Sequence, residues 1–304
     1  MEPGFADWCA IVNRKEQEAH MENSLPEYVS TPLQGFIDYT KESTRLLHMS
    51  MQGMSMITKL PQAVKVLEKT DHAAYTPEEA LKRKEQYGRE LEAIEAQAEF
   101  ADRELKHGFP LLHAHTLVGL WGALEAALED LVVGMLMNEP DLLRSELFSK
   151  VRVPLAEFES LEKEQRMRLL VEEVGRGHGL GKKAGVDGFE TLLASVGLSG
   201  GIDAEIKKII WEVSHVRNVI VHRGSVADRR LVESCPWMSL KAGGKITVAH
   251  EALWRYEKAL VKYLTTVIYR ARARYGKVIK GSLRRCVKNS EALESIESCY
   301  FVFR

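Results

Sequence analysis

Apolar side chains at Leu117, Leu120, Trp121, Leu124, Leu128, Leu131 and Met135 recur at three- and four-residue steps through residues 111–137. At about 100° per residue these positions fall along one side of an α-helix. The spacing therefore predicts a core helix, against which other segments must lay apolar faces of their own. His113, His115, Glu125, Glu129 and Asp130 interrupt the region, which is incompatible with an uninterrupted membrane span. Glu125 and Glu129 share a face; without a His or Asp partner in ligand-like spacing, they read as solvated or interface-facing carboxylates.

Further helices are expected on either side. Thr76-Pro77-Glu78-Glu79 combines an N-cap, a proline at the first helical position and a capping-box glutamate. A long charged helix follows to about residue 107, with Glu85 and Arg89, and Glu99 and Arg103, at four-residue spacing. Helices are also predicted over 141–149, 154–174, 189–196, from Asp203 through the segment treated below, and over 249–275, where Leu253, Tyr256, Leu260, Tyr263, Leu264 and Val267 form a stripe. Met238-Ser-Leu-Lys241 and Lys245-Ile-Thr-Val248 flank Ala-Gly-Gly, so a small β-hairpin is expected near 237–249. Residues 1–60 have weak periodicity and turn formers at Pro26, Pro32, Gly35 and Gly53. They read as short helices, with Met49, Met51, Met54 and Met56 packing on the core in preference to forming a pliable partner surface. The expected fold is mainly all-α: an N-terminal helical extension over 1–105, a helical domain over 106–276 and a basic tail over 277–304.

Charge and cysteine usage narrow the setting. A formal net charge of −1 argues against overall attraction to nucleic acid, so any such binding needs a local basic patch. One is available: Arg270, Arg272, Arg274, Lys277, Lys280, Arg284, Arg285 and Lys288 run without an acidic residue among them, flanked by Tyr269 and Tyr275 as stacking partners for bases. An exposed basic face without a ligand is the competing reading. The four scattered cysteines, Cys9, Cys235, Cys286 and Cys299, suggest neither a zinc ribbon nor a disulfide framework. With no signal-peptide pattern at the N-terminus, a cytoplasmic protein is expected. The glycine-rich segment 175–183 lacks the Walker spacing and the Ser or Thr, and reads as an inter-helix connection.

The chemistry concentrates in Trp211-Glu-Val-Ser-His-Val-Arg-Asn-Val-Ile-Val-His-Arg-Gly224. Ile209, Ile210, Val213, Val216, Val219 and Ile220 give it one buried helical face, and Gly224 supplies the stop. Arg217, Asn218 and His222 are the candidate catalytic residues. Asn218 and His222 share a face, whereas Arg217 and His222, five apart, point roughly 140° away from each other. Either the helix ends or kinks near Val221, or two chains each contribute an Arg and a His to one cleft. Glu212 either orients Arg217 or faces solvent, and His215 reads as structural.

Arginine, a polar residue and a histidine five positions after the arginine at a helix end resemble the signature of the HEPN superfamily. Arg217-Asn-Val-Ile-Val-His-Arg-Gly-Ser-Val-Ala-Asp228 is similar to the form found in the RiboL-PSP group, and Leu120-Trp-Gly-Ala-Leu-Glu125 resembles that group's first core helix. The likeness covers about residues 105–275. It implies a HEPN-like helical bundle, a homodimer with facing Arg–His motifs, and metal-independent, cofactor-free endoribonuclease activity of a toxin or phage-defence effector, with an antitoxin or defence-system protein as a further partner. In that chemistry Arg217 binds phosphate, Asn218 orients and His222 is general acid/base. Glu212, Arg223, Arg270, Arg272 and Arg274 are candidate substrate contacts. The tyrosine that commonly stands two after the histidine is replaced by Gly224. The rival expectation is a non-catalytic helical module that binds RNA, a nucleotide or a protein.

Overall fold

The core helix forms as its stripe predicts. In the computed structural model, which describes residues 25–70, 75–177 and 185–276, it spans Pro110–Asn138 and is the fourth α-helix among the described residues. Around it the elements run α1 Glu27–Ile57, α2 Leu60–Thr70, α3 Pro77–Lys106, α4 Pro110–Asn138, a 3-10 turn Pro140–Arg144, α5 Glu146–Ser149, α6 Leu155–Ser160, α7 Lys163–Gly177, α8 Val186–Ala194, α9 Ala204–Arg223, α10 Arg229–Ser234, a 3-10 turn Pro236–Met238 and α11 His250–Tyr275. The described residues are mainly all-α, and their one β feature is an isolated antiparallel bridge between Val226 and Lys245. No helix among them is long and apolar enough to cross a membrane.

The chain divides into two units, Glu27–Ile268 and a second that takes in Met1–Pro26 and Tyr269–Arg304. Of the second, only 25–26 and 269–276 are described, the latter carrying α11 to its end. In the first, α4 is the axis: Leu117, Leu120, Leu124, Leu128, Leu131, Val132 and Met135 are fully buried, each such side chain contributing about 1.5–3 kcal/mol on leaving water. Helices α1, α7, α8 and α9 pack on it, while α3 packs on α1 and α2.

The capping box holds. Glu79 N–H donates to Thr76 Oγ1 at 3.3 Å, and Thr76 N–H donates to the Glu79 carboxylate at 2.9 Å. At the other end Gly108 and Phe109, both left-handed at φ 71° and 57°, turn the chain into α4. Residues 27–57 form one 31-residue helix rather than short pieces, despite Pro32 within it. Proline has no N–H to return to the carbonyl of Tyr28. That carbonyl lies against α4, where a Cβ on Gly134 would meet it at 2.6 Å.

Three other expectations change. The predicted helix over 154–174 is broken between α6 and α7: Arg166 donates to the carbonyls of Leu161 and Glu159, and Gln165 accepts from Glu162 N–H, so side chains satisfy the interrupted backbone. The first part of the predicted 141–149 helix is a 3-10 turn. The β-hairpin near 237–249 is not formed. Pro236–Met238 is a 3-10 turn, its Trp237 held by Glu212, and residues 243–246 pair instead with 225–227. Ala227 N–H donates to Gly244 O at 2.8 Å and Ile246 N–H to Ser225 O at 2.7 Å.

Candidate functional site on helix α9

Helix α9 is fixed at both ends. Asp203 accepts from the N–H groups of Glu205 and Ile206, and Gly224, left-handed at φ 58°, donates its N–H to Val219 O. Ile210, Val213, Val216 and Val219 are buried as the spacing predicts, whereas Ile209 and Ile220 are only half-buried. Beyond the helix, residues 225–227 are clamped to 243–246, Asp228 caps α10 by accepting from Leu231 N–H at 2.8 Å, and Trp211 Nε1 donates to Ser234 O. The candidate residues therefore stand on a well-anchored rod.

Arg217 is half-buried, its side chain 27% exposed. It donates through Nη2 to Glu125 of α4 at 3.2 Å and through Nη1 to Asn218 Oδ1 at 3.1 Å, while its buried Nε has no hydrogen-bond partner. His222 is exposed in the last turn. Because α9 continues through Arg223, the helix does not end or kink at Val221. Arg217 and Asn218 are brought together; Arg217 and His222 remain about 140° apart around one helix. Of the two arrangements left open by the spacing, the break near Val221 is not formed.

Glu125 is the partner that spacing alone could not reveal, since it lies 92 residues before Arg217. Its side chain is 38% exposed and pairs with α9 through Arg217. Glu129, one turn further along α4, has its pKa raised by desolvation first, then by Glu125, Asp130 and Glu172. Around Glu129 the carboxylates of Glu125, Asp130 and Glu172 gather, with Arg168 opposing them.

Glu212 is corrected on both counts, for it neither orients Arg217 nor faces solvent. It is 1% exposed and accepts hydrogen bonds from Trp237 Nε1 at 2.7 Å, from Tyr256 Oη at 2.6 Å and from Arg255. Burial and this carboxylate push the Tyr256 phenol well up and the neighbouring Cys235 thiol up to about 12. Lys208 lies over the Trp237 ring at 4.6 Å. This is an anchor between α9 and α11. His215 is buried, 5.0 Å from the Trp211 ring, its Nε2 unpartnered, its pKa lowered by burial and then by Arg230.

Arg223 is exposed, with Nε 3.9 Å from Asp228. Arg270, Arg272 and Arg274 lie in the last turns of α11 within the unit of chain ends, where Arg274 sits 5.6 Å over the Tyr275 ring. The rest of the basic run, residues 277–288, lies outside the described residues, as do 178–183 of the glycine-rich segment and Cys9, Cys286 and Cys299. An open groove of about 530 Å³ between α1, α4 and α7 is lined by residues including Asp130, Gly134 and Arg168, and by none of the motif residues. Among the described residues no three His, Cys, Asp or Glu side chains gather as a metal-binding set.

No protein-family model, no curated protein and no solved structure matches the chain.

Proposed function

We propose that the protein is a metal-independent endoribonuclease of HEPN type, acting as a homodimer in the cytoplasm in the manner of a toxin or phage-defence effector. The observation that carries this reading is the disposition of three side chains on one anchored helix: Arg217 and Asn218 half-buried and bonded to each other, His222 open to solvent in the last turn. An arginine held in place before substrate arrives loses little freedom on binding phosphate. Its fork of N–H donors suits phosphate and the charge of a pentavalent transition state.

With about 140° between Arg217 and His222 on each helix, the working cleft pairs the arginine of one protomer with the histidine of the other. One imidazole takes the proton of the ribose 2′-hydroxyl as its oxygen bonds to phosphorus, and the second gives a proton to the departing 5′-oxygen. The products are a 2′,3′-cyclic phosphate and a 5′-hydroxyl, and DNA, lacking the attacking hydroxyl, is not cut. Arg223, Arg270, Arg272 and Arg274 are the proposed backbone contacts. Glu212, committed to three donors, is dropped from the substrate contacts.

One observation favours a second reading. Arg217 is already neutralised by Glu125, as a purely structural inter-helix tie would be. Under that reading the chain is a non-catalytic helical module that binds RNA, a nucleotide or a protein partner.

Purified wild type and His222→Ala, assayed on RNA in the presence of a chelator with analysis of fragment ends, separate the two. Cleavage by wild type with cyclic-phosphate ends, reduced on the order of 10²–10⁴-fold in the variant, is the expected outcome. Equal cleavage by both proteins would remove His222 from the chemistry, and no cleavage by either while both bind RNA decides for the binding module.

A further inference from the structure

Residues 239–248, between the turn Pro236–Met238 and α11, run mostly exposed and are held at their two ends by different devices. At the start, Trp237 donates to the buried Glu212 carboxylate. At the finish, Val248 O lies 3.1 Å from Nδ1 of His113, a fully buried residue of α4. In between, only Ile246 and Val248 are buried, and Ser239 and Gly243 are left-handed at φ 53° and 82°. This segment clamps the chain that follows α9. Gly243 N–H donates to Ala227 O at 2.8 Å, Ala227 N–H to Gly244 O at 2.8 Å and Ile246 N–H to Ser225 O at 2.7 Å.

The latch at its far end is a pair of imidazoles. A carbonyl only accepts, so His113 Nδ1 carries the proton that meets Val248 O, and in the neutral ring Nε2 is left as an acceptor. That Nε2 faces Nδ1 of His250, the first residue of α11, at 3.4 Å, with the ring centroids 5.3 Å apart. With both rings neutral, or with one proton shared between them, one nitrogen donates and the other accepts. With both rings charged, N–H meets N–H and two positive charges stand side by side.

The charged groups around the pair do not offset this. Glu104 of α3 and Glu251 of α11 favour a charged His113, as does the Val248 carbonyl, and one buried oxygen of Glu104 has no hydrogen-bond partner. Burial and His250 outweigh them, so the His113 pKa is lowered. From α1, His48 adds a third imidazole, its pKa lowered by burial and then by His250. Further along α11, Glu257 accepts from Thr44 Oγ1 of α1 at 3.3 Å. A buried ring that must carry charge beside another cation has to be hydrated. Phe109, Val248 and His250 lie against it, and of these only Val248 and His250 belong to the exposed connection or its junction with α11.

We propose that His113 and His250 form a proton-sensitive latch: uncharged or sharing one proton, the pair holds residues 243–248 against α4 and so clamps 225–227 behind α9; doubly charged, it lets that segment lift and releases the chain beyond His222 and Arg223. The latch rests on packing alone and stands whether or not His222 is catalytic. A histidine that is harder to charge in the closed form than in the open one favours closure above its ordinary value of about 6.5, and that preference fades as pH falls below it.

Amide hydrogen exchange on the full chain, corrected for the intrinsic rate at each pH, tests it at Ala227, Gly243 and Ile246, with Leu124 and Leu128 of α4 as the reference. At about pH 7.5 the three clamp amides are expected to be protected, but less than the reference, because they open locally. At about pH 5.5 their protection is expected to fall on the order of tenfold in wild type, one unit below the ordinary histidine value. His113→Gln removes that fall, and His250→Gln removes it from the half-buried side, where a substitution disturbs the fold less. Clamp amides as protected as Leu124 and Leu128 would mean that they open only with the whole molecule. That result, protection unchanged between the two pH values, or a fall that persists in both variants would each overturn the latch.

Discussion

At Glu212 the sequence invites a wrong inference that the fold corrects. The residue sits five before Arg217 in a helix rich in charge, and nothing nearby in the chain signals that its carboxylate is taken. Its donors, Trp237, Arg255 and Tyr256, come from 25, 43 and 44 residues downstream. Replacing it with alanine strands the buried Tyr256 hydroxyl, the Trp237 indole N–H and an arginine that has lost its counter-ion, so Glu212→Ala is expected to destabilise by about 3 kcal/mol. Urea unfolding checks this, and a loss below 1 kcal/mol would mean that the carboxylate is not an anchor. Arg217, Asn218 and His222, by contrast, were legible at once, because an arginine, an amide and a histidine in an apolar helix stand out against their surroundings. What they touch was not. The Glu125 carboxylate that holds Arg217 reads, in its own segment, only as one of two acids on a shared face.

Two predictions belong to helices. The freed Tyr28 carbonyl of α1 lies so near α4 that Gly134→Ala forces the two helices apart, at about 1–3 kcal/mol. A thermal midpoint lowered by several degrees is the expected readout. The second concerns histidines on three helices. His113 of α4 is fully buried, its Nδ1 3.1 Å from Val248 O and its Nε2 3.4 Å from His250 Nδ1 of α11, while His48 of α1 responds to the same His250. The His113 pKa is lowered by burial and by His250, against the opposing influence of the Val248 carbonyl, Glu251 and Glu104. A histidine whose folded pKa is depressed contributes stability that is present above the unfolded value and lost as pH falls below it. Stability is therefore expected to drop as pH falls below about 6.5, the unfolded value. Thermal melts from pH 8 to pH 5 measure this; His113→Gln should flatten the dependence, and an unchanged slope would locate it elsewhere. Helix existence was readable from periodicity and caps. The break between α6 and α7 was not, because Arg166 and Gln165 can satisfy the interrupted backbone only once the chain has turned.

For the molecule as a whole, a dimer through α9, as the ribonuclease reading requires, would make stability depend on concentration, because binding that favours the folded state raises the midpoint by mass action. A hundredfold rise in wild-type concentration is then expected to lift the thermal midpoint, and a midpoint that does not move would count against the dimer.

The sequence by itself determined the mainly helical architecture, the core position of α4, the capped start of α3 and the buried face of α9. These follow from local spacing, and the energetics of a helix stripe or a capping box involve residues within a few turns of each other. Tertiary structure alone decided that α1 is one long helix, that residues 243–246 pair with 225–227, that Glu212 is an anchor and that Arg217 answers to Glu125. Each depends on groups far apart in the chain, where side-chain desolvation and hydrogen bonding are settled only by packing.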